Sequence, residues 1–512
     1  RAAARAGEGA TMTIRRSAAA LALLLVQLAA CAPATGDLVS AGPDVAPGDL
    51  RTADGAPDFA LSPVTVPRGP ATPPKLDATR VYTLPELIDI AQRSNPTTAA
   101  AWERARAAAL SVGEVEATYL PQLSANVLLG YGQATQIEPA IPQLGIRPGR
   151  LVASGYQVVP NVAVQWLLFD FGGRAAAREV ATEAAAGANV GFVAAHQRVI
   201  FEVSNAFFQL GAARSEIGLD RQRLEDARSL RRIAERRLDE GIGTSVEVAQ
   251  ARQIEAQAEF DLTLAEGRER DDYARLIRAM GLPPTTRIRV ADLSGRRLPR
   301  QVPQQLDQLI EASLQRRPDV RLALAEVRAS RAQIALAEAQ RLPKVIVTGE
   351  IGRTRGDFSL DDSRLPGRFT LNDSLPEAVA GVLISVPIFD GGLRANQREQ
   401  ARARAAAAER DLEAIQSAAS LEIVEAYNLL QTSLAAYAAS GPLVAAAEEA
   451  YRSALGLFEN GLAPLADVSA AKGALATARL VRTDAFSDAF SAAAALAFAT
   501  GALTNRDVAA RL

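Results

Sequence analysis

The chain has 512 residues but one histidine, His196, and one cysteine, Cys31. Imidazole acid–base catalysis, thiol–imidazole nucleophiles and zinc clusters all draw on those two residue types, so these chemistries have almost no inventory here. No phosphate-binding glycine loop or nucleophile constellation is visible either. What remains is one thiol and a set of carboxylates in repeated settings. Asp170 and Asp390 sit in two versions of one junction, "WLLFDFGGR" (166–174) and "VPIFDGGLR" (386–394). Glu247 and Asp467 follow two versions of one glycine turn, "LDEGIGTSVEV" from Leu238 and "FENGLAPLADV" from Phe458. An acid just after such a turn falls in the first turn of a helix, where it offsets the helix dipole.

The thiol has its own context. The chain opens on Arg1, and Met12 reads as a start, followed by "TIRRSAAALALLLVQLAAC". Arg15 and Arg16 precede an uncharged stretch from Ala18 to Ala30, too short for a spanning helix and suited to a signal peptide. The ending Leu28-Ala29-Ala30-Cys31 resembles the lipobox of bacterial lipoproteins, in which the cysteine is acylated and becomes the mature N-terminus. That resemblance implies lipidation at Cys31, and Ala32 after it implies sorting to the outer membrane. Residues 1–30 are thus expected to be upstream residues and signal peptide. Residues 31–78, rich in Pro, Gly, Ala and Asp without a helical or strand period, are expected to be an extended tether.

The elements that position the acids come in duplicate. Pro96 and Pro318 align in "RSNPTTAAAWERARAA" and "QRRPDVRLALAEVRAS"; Pro121 and Pro343 align in "YLPQLSANV" and "RLPKVIVTG". These pairs keep an offset of 222, and the junctions, the glycine turns and the pair "MGLP" and "TGAL" keep 220. The first repeat is assigned to 79–290 and the second to 301–512.

Within each repeat two textures alternate. Leu123, Ala125, Val127, Leu129 and Tyr131 oppose Gln122, Ser124, Asn126 and Gly130, and the same period of two runs through the residues before Phe169, after Pro343 and before Phe389. Strands are therefore expected at ~122–131, ~156–168, ~344–353 and ~378–389, each about the length of a transmembrane β-strand. Tyr119, Tyr131, Tyr156, Trp166, Phe169, Phe171 and Phe389 fall at strand ends, as an aromatic girdle would; Pro160 and Pro387 weaken the ladders locally.

After each junction, long helices are expected at ~174–238 and ~394–458, each roughly 100 Å at ~1.5 Å per residue. Val203, Leu210, Ile217 and Leu224, with Ile423, Leu430, Tyr437 and Val444, recur every seven residues and mark a coiled-coil seam. Pro442 predicts a kink or a join. Tip turns at ~239–246 and ~459–466, hinged on Gly241 and Gly461, lead into return helices ending near 280 and 500. Thr244 or Ser245 starts the first return helix, and Pro464 is read as an early residue of the second.

The ordered set of lipobox, doubled unit, strand pairs entered through Leu-Pro and left through Phe-Asp-Gly-Gly, and glycine tips resembles the TolC family of outer-membrane efflux proteins, its lipid-anchored members above all. The resemblance covers about residues 80–505. It implies a membrane α+β fold: a trimeric 12-stranded β-barrel, four strands per chain, continuing into a long α-helical coiled-coil barrel. Phe169, Asp170, Gly172 and Gly173, with Phe389, Asp390, Gly391 and Gly392, would form the strand-to-helix junctions. Gly241, Glu247, Gly461 and Asp467 would form the periplasmic gate, where three copies of Asp467 make a carboxylate ring that favours cations. Ala470 stands where a second acidic ring would need a carboxylate. For Asp467 alone, a helix-dipole role weighs equally.

The implied function is the exit duct of a tripartite efflux system, a passive homotrimeric conduit served by a periplasmic adaptor and an inner-membrane pump, in outer-membrane lipid. No enzyme activity, catalytic residue, cofactor or metal is expected. The net charge of −2 argues against a nucleic-acid partner. Two alternatives stand beside this reading: the exit duct of a type I protein secretion system, and a lipid-tethered periplasmic coiled-coil scaffold with a soluble sheet. The run "RSLRRIAERR" (228–237) is expected to be solvated helix surface balanced by Glu225, Asp226 and Glu235, with adaptor contact as the alternative; His196 is a bystander.

Overall fold

Period-two segments pair edge to edge, and period-seven segments pack along their length; the architecture follows from keeping the two kinds apart. The computed structural model describes residues 76–140, 142–145, 147–293, 296–299, 305–364 and 367–503. Cys31, the signal stretch and the tether up to residue 75 lie outside the described residues.

Each repeat begins with a short pair of helices. In the first, β1 (Val81–Tyr82) leads to α1 (Leu84–Ser94) and α2 (Pro96–Ala117). Then come β2 (Gln122–Glu138), β3 (Gly149–Phe169), α3 (Gly173–Asp239) and α4 (Ser245–Ala279). After β4 (Arg289–Val290), which pairs in parallel with β1, the second repeat runs through α5 (Leu306–Leu314) and α6 (Pro318–Ala339). It continues with β5 (Lys344–Asp362), β6 (Arg368–Ser385), α7 (Leu393–Glu459) and α8 (Leu465–Ala499).

The four long strands form one antiparallel sheet in the order β2-β3-β5-β6, leaving β2 and β6 as its edges. The strands have 17, 21, 19 and 18 residues, longer than the expected 10 to 13. Alternation of apolar and polar residues fades past Tyr131, but the ladder does not: Gln133 still pairs with Ser154 and Thr135 with Val152. The fourth strand also shifts. It ends at Ser385, before Pro387, which has no N–H to give a ladder, and Ile388 and Phe389 are left almost fully exposed. Pro160 keeps its pairing with Val127 while the β3–β5 register passes from Val158 to Asn161. Pro376 lies on edge strand β6, where a missing donor is tolerated.

The helices α3 and α7 have 67 residues each, about 100 Å at ~1.5 Å per residue. Each is matched by two shorter helices stacked end to end. Asn95, at the start of α2, donates from Nδ2 to the carbonyl of Ala279 at the end of α4 (2.9 Å), and Ser94 Oγ donates to Met280 O (2.9 Å). In the second repeat Arg317 Nη1 donates to Ala499 O (2.8 Å). Gly281 ends α4 with φ +71, and a Cβ there would lie 2.6 Å from the Asn95 backbone; the close stacking requires glycine.

The seam residues Val203, Leu210, Leu224, Ile423 and Leu430 are buried, and Ile217, Tyr437 and Val444 half-buried. The main core gathers Leu84, Leu87 and Ile88 of α1 onto Val203, Phe207 and Phe208 of α3, with Leu276 and Ile277 of α4 and Phe490 of α8. The Phe208 and Phe490 rings stack at 5.2 Å. Of the kink or join expected at Pro442, the join does not occur: α7 runs through it as one helix. Gly441 offers no Cβ to clash with the proline ring, and the Ala438 carbonyl that loses its donor lies on an exposed residue, where water can replace it.

Candidate functional site

At the first junction the strand ends on Phe169 and the chain turns through two left-handed residues, Phe171 (φ 53) and Gly172 (φ 92). At the second the left-handed pair is Gly391 (φ 64) and Gly392 (φ 89). The equivalence is therefore one residue off from the paired glycines of the sequence. Gly173 is the first residue of α3, matched by Leu393, and its own constraint is the Asp170 carboxylate, 2.9 Å from where a Cβ would stand. Asp170 is buried and accepts from the backbone N–H of Arg174 (Oδ2, 2.6 Å). Arg174 pairs with it (3.5 Å), donates to Thr118 O and Leu168 O, and lies over the Tyr119 ring at 4.5 Å. Asp390 likewise accepts from the N–H groups of Gly392 (3.0 Å) and Arg394 (3.3 Å) and from the Arg394 guanidinium (2.8 Å). Desolvation would raise the Asp390 pKa, but these hydrogen bonds and the arginine hold it below the ordinary value. Each aspartate thus ties the first turn of a long helix to the bend, satisfying N–H groups that have no partner inside the helix.

The tips close by the same device. The N–H of Gly241 (φ 76) bonds to Leu238 O and that of Ile242 to Arg237 O; Gly461 (φ 73) and Leu462 repeat this onto Phe458 O and Leu457 O. Beyond the turns the copies differ. Thr244 caps α4 in a reciprocal box, its Oγ1 accepting from Glu247 N–H while the Glu247 carboxylate accepts from Thr244 N–H (2.9 Å). Pro464 stands at the capping position of α8, one residue ahead of the helix, and supplies no side-chain cap. The Asp467 carboxylate is exposed and makes no hydrogen bond or ion pair among the described residues.

Two residues given no role by the sequence hold the tips together. Arg237 of α3 donates to Phe458 O (2.9 Å) and covers the Phe458 ring at 4.8 Å. Phe458 is fully buried with Leu230, Ala234, Val248, Ala251, Leu465 and Val468, from both helical hairpins. Part of the basic run 228–237 is engaged within the chain: Arg228 and Arg231 pair with Glu255 of α4, Arg231 with Glu235, and Arg237 clasps the second tip, while Arg232 and Arg236 are exposed. A long-range aromatic partner leaves no periodic trace, so sequence spacing could not find it. Lys472 of α8 is also buried, its Nζ 3.3 Å from Arg223 O; burial lowers its pKa to about 8, with Asp226 opposing and Arg223 assisting. His196 packs edge-on against Phe192, and burial lowers its pKa.

The sheet has two unlike faces. Leu123, Val127, Leu129, Tyr131, Tyr156, Val162, Ile351, Val382 and Ile384 are exposed on one. On the other, Asn126 donates to Asn161 Oδ1 (3.1 Å), and Asn161 Nδ2 donates to Glu350. Among the described residues no helix is long and apolar enough to cross a membrane. Bare apolar faces of this size on a sheet with two open edges need a covering.

A profile of the outer membrane efflux protein family matches residues 87–282 and 309–502, one match for each repeat. The chain belongs to the outer membrane efflux protein family. Protein CyaE of Bordetella pertussis is 28% identical over 84% of each chain. The crystal structure of the outer membrane protein VceC of Vibrio cholerae shares the fold, with a TM-score of 0.65 and 22% identity over 82% of this chain and 96% of that one. The outer-membrane channel OprN does likewise, with a TM-score of 0.67 and 20% identity over 85% and 95%. As an outer membrane efflux protein, the chain is an outer-membrane channel built of two tandem repeats, its sheet contributing to a β-barrel and its helices reaching into the periplasm. Membership supports the channel and not the lipid-tethered periplasmic coiled-coil scaffold.

Proposed function

We propose that three copies assemble into one duct, each supplying four strands to a twelve-stranded barrel and two long helical hairpins to a periplasmic tunnel. The supporting observation is the sheet itself: four long strands, an apolar face and two unpaired edges. Four strands cannot close on themselves, and open edges in hydrocarbon leave N–H and C=O groups without partners. Pooling strands between chains removes the edges. The polar face with Asn126, Asn161 and Glu350 then lines a watery lumen.

In this reading the duct is a passive conduit of a tripartite system, receiving cargo from an inner-membrane pump through a periplasmic adaptor that docks at the tips. Gly241 and Gly461 set the tip turns. Glu247 is engaged in its capping box, whereas the free carboxylate of Asp467 is available to a ring of three that concentrates cations at the constriction. Cys31 carries the lipid anchor. The reading requires no cofactor and assigns no catalytic residue. It is tested by reconstituting the purified full chain in a bilayer: single-channel conductance together with an oligomer that dissociates on heating supports it, and a monomer without conductance refutes it.

A further inference from the structure

The register of the sheet places two charges where the proposed barrel meets lipid. On the apolar face, Leu129 pairs with Val158, Val158 with Arg355 and Arg355 with Ser374. One row nearer the helices, Val127 pairs with Pro160, and Arg353 with Pro376. One row farther out, Tyr131 pairs with Tyr156 and Tyr156 with Asp357, the two tyrosine rings lying 5.0 Å apart. Trp166 stands on the same face of β3 ten residues past Tyr156, at the helical end, about 34 Å along the strand at ~3.4 Å per residue, and about 26 Å across the membrane at ~40° of tilt. That is the height of an outward apolar band bounded by aromatic girdles. Arg355 and Arg353 therefore start one and two rows, respectively, inside the girdle at the end away from the helices, hence toward the outer leaflet. Both are exposed, and neither makes an ion pair among the described residues. On this face of β5 the acid nearest to them is Asp357, which stands at the girdle level, farther from the band than either arginine, while Glu350 belongs to the opposite face.

We propose that Arg353 and Arg355 form a binding site for the phosphate of an outer-leaflet lipid headgroup. A guanidinium facing hydrocarbon is costly unless it reaches a counter-charge, and an arginine stem is long enough to carry its head to the interface. Two guanidinium forks on one face, two residues apart, match the bidentate geometry that phosphate oxygens accept. The site rests on the barrel reading above, because only a barrel turns this face to lipid.

The test uses the full chain in lipid nanodiscs, titrated with a diphosphorylated glucosamine-based glycolipid, its dephosphorylated form and inorganic phosphate, with bound lipid read by native mass spectrometry. The parent is expected to retain the phosphorylated lipid, the R353Q/R355Q variant about tenfold less or lower, and the singles R353Q and R355Q intermediate amounts. R353K/R355K should keep part of the retention. Equal retention by the parent and all glutamine variants would overturn the site, and so would displacement of the lipid by inorganic phosphate at equal concentration, which would mark a mere ion site. Conductance is recorded in the same discs: its absence in the parent would count against the duct, whereas unchanged conductance with unchanged lipid retention in the variants would count against the phosphate site alone.

Discussion

Position-matched residues 220 apart carry different side chains on the same backbone: Leu238 and Phe458, Thr244 and Pro464, Glu247 and Asp467, Arg252 and Lys472, Phe171 and Gly391. In the first hairpin the tip is held by polar groups. Thr244 and Glu247 cap each other, and Arg252 is solvated and paired with Glu235 at 3.2 Å. In the second the tip is held by packing. Phe458 is buried beneath Arg237 of the first hairpin, Lys472 is buried, and Asp467 is exposed without an ion pair among the described residues. Duplication thus preserved the bends and turns, which backbone geometry demands, while the two copies diverged where they meet each other. In the trimer proposed above, an asymmetric pair can rest one hairpin against the other and still present one acid to the axis.

The comparison can be broken most severely at the shared tip core. Phe458→Ala should cost about 3–5 kcal/mol of local stability, while Leu238→Ala, on a more exposed residue, should cost under about 1 kcal/mol. Hydrogen exchange in α7 and α8 near the tip checks this; equal effects would mean the tips are not asymmetric.

Next comes the buried amine. The Lys472 pKa is lowered from 10.5 to about 8, so the unfolded chain binds more protons between those values and native stability should rise as pH climbs from 8 toward 10.5. Lys472→Met should therefore be more stable than the parent at pH 7, by up to about 3 kcal/mol, with the gain fading by pH 10.5. Arg252→Met should show no such pH dependence. Melting temperatures across that range decide.

Smaller effects are expected at the bends. Gly172→Ala and Gly392→Ala each force an L side chain to φ near +90 and should cost about 1–3 kcal/mol, seen as earlier proteolysis at the junction. The smallest contrast is at the caps: Thr244→Ala should lose about 1 kcal/mol in the unfolding midpoint, and Pro464→Ala, which has no cap to lose, about none.

How much was legible in the sequence follows the same division. The repeat, the glycine tips and the long helices could be read because turns and seven-residue seams impose residue types at fixed spacing. The sheet was under-read: beyond Tyr131 the ladder no longer sorts apolar from polar side chains, so backbone pairing continued without a pattern to show it. At the first junction the paired glycines pointed one residue too far, because Phe171 occupies a left-handed position that a bulky residue rarely takes. Its ring packs edge-on against Phe169 at 4.7 Å. The Arg237–Phe458 and Lys472–Arg223 contacts join the two repeats across more than 200 residues and carry no periodic signal.

The central claim is that β2 of one chain pairs with β6 of the next. Ala125→Cys on β2, combined in turn with cysteines along β6 from Ala378 to Ile384, tests it by disulfide formation in membranes. The account predicts covalent species of two and three chains, none larger, at alternate β6 positions that share the face of Ala125. Cross-links confined within one chain, or a ladder running beyond three, would contradict it.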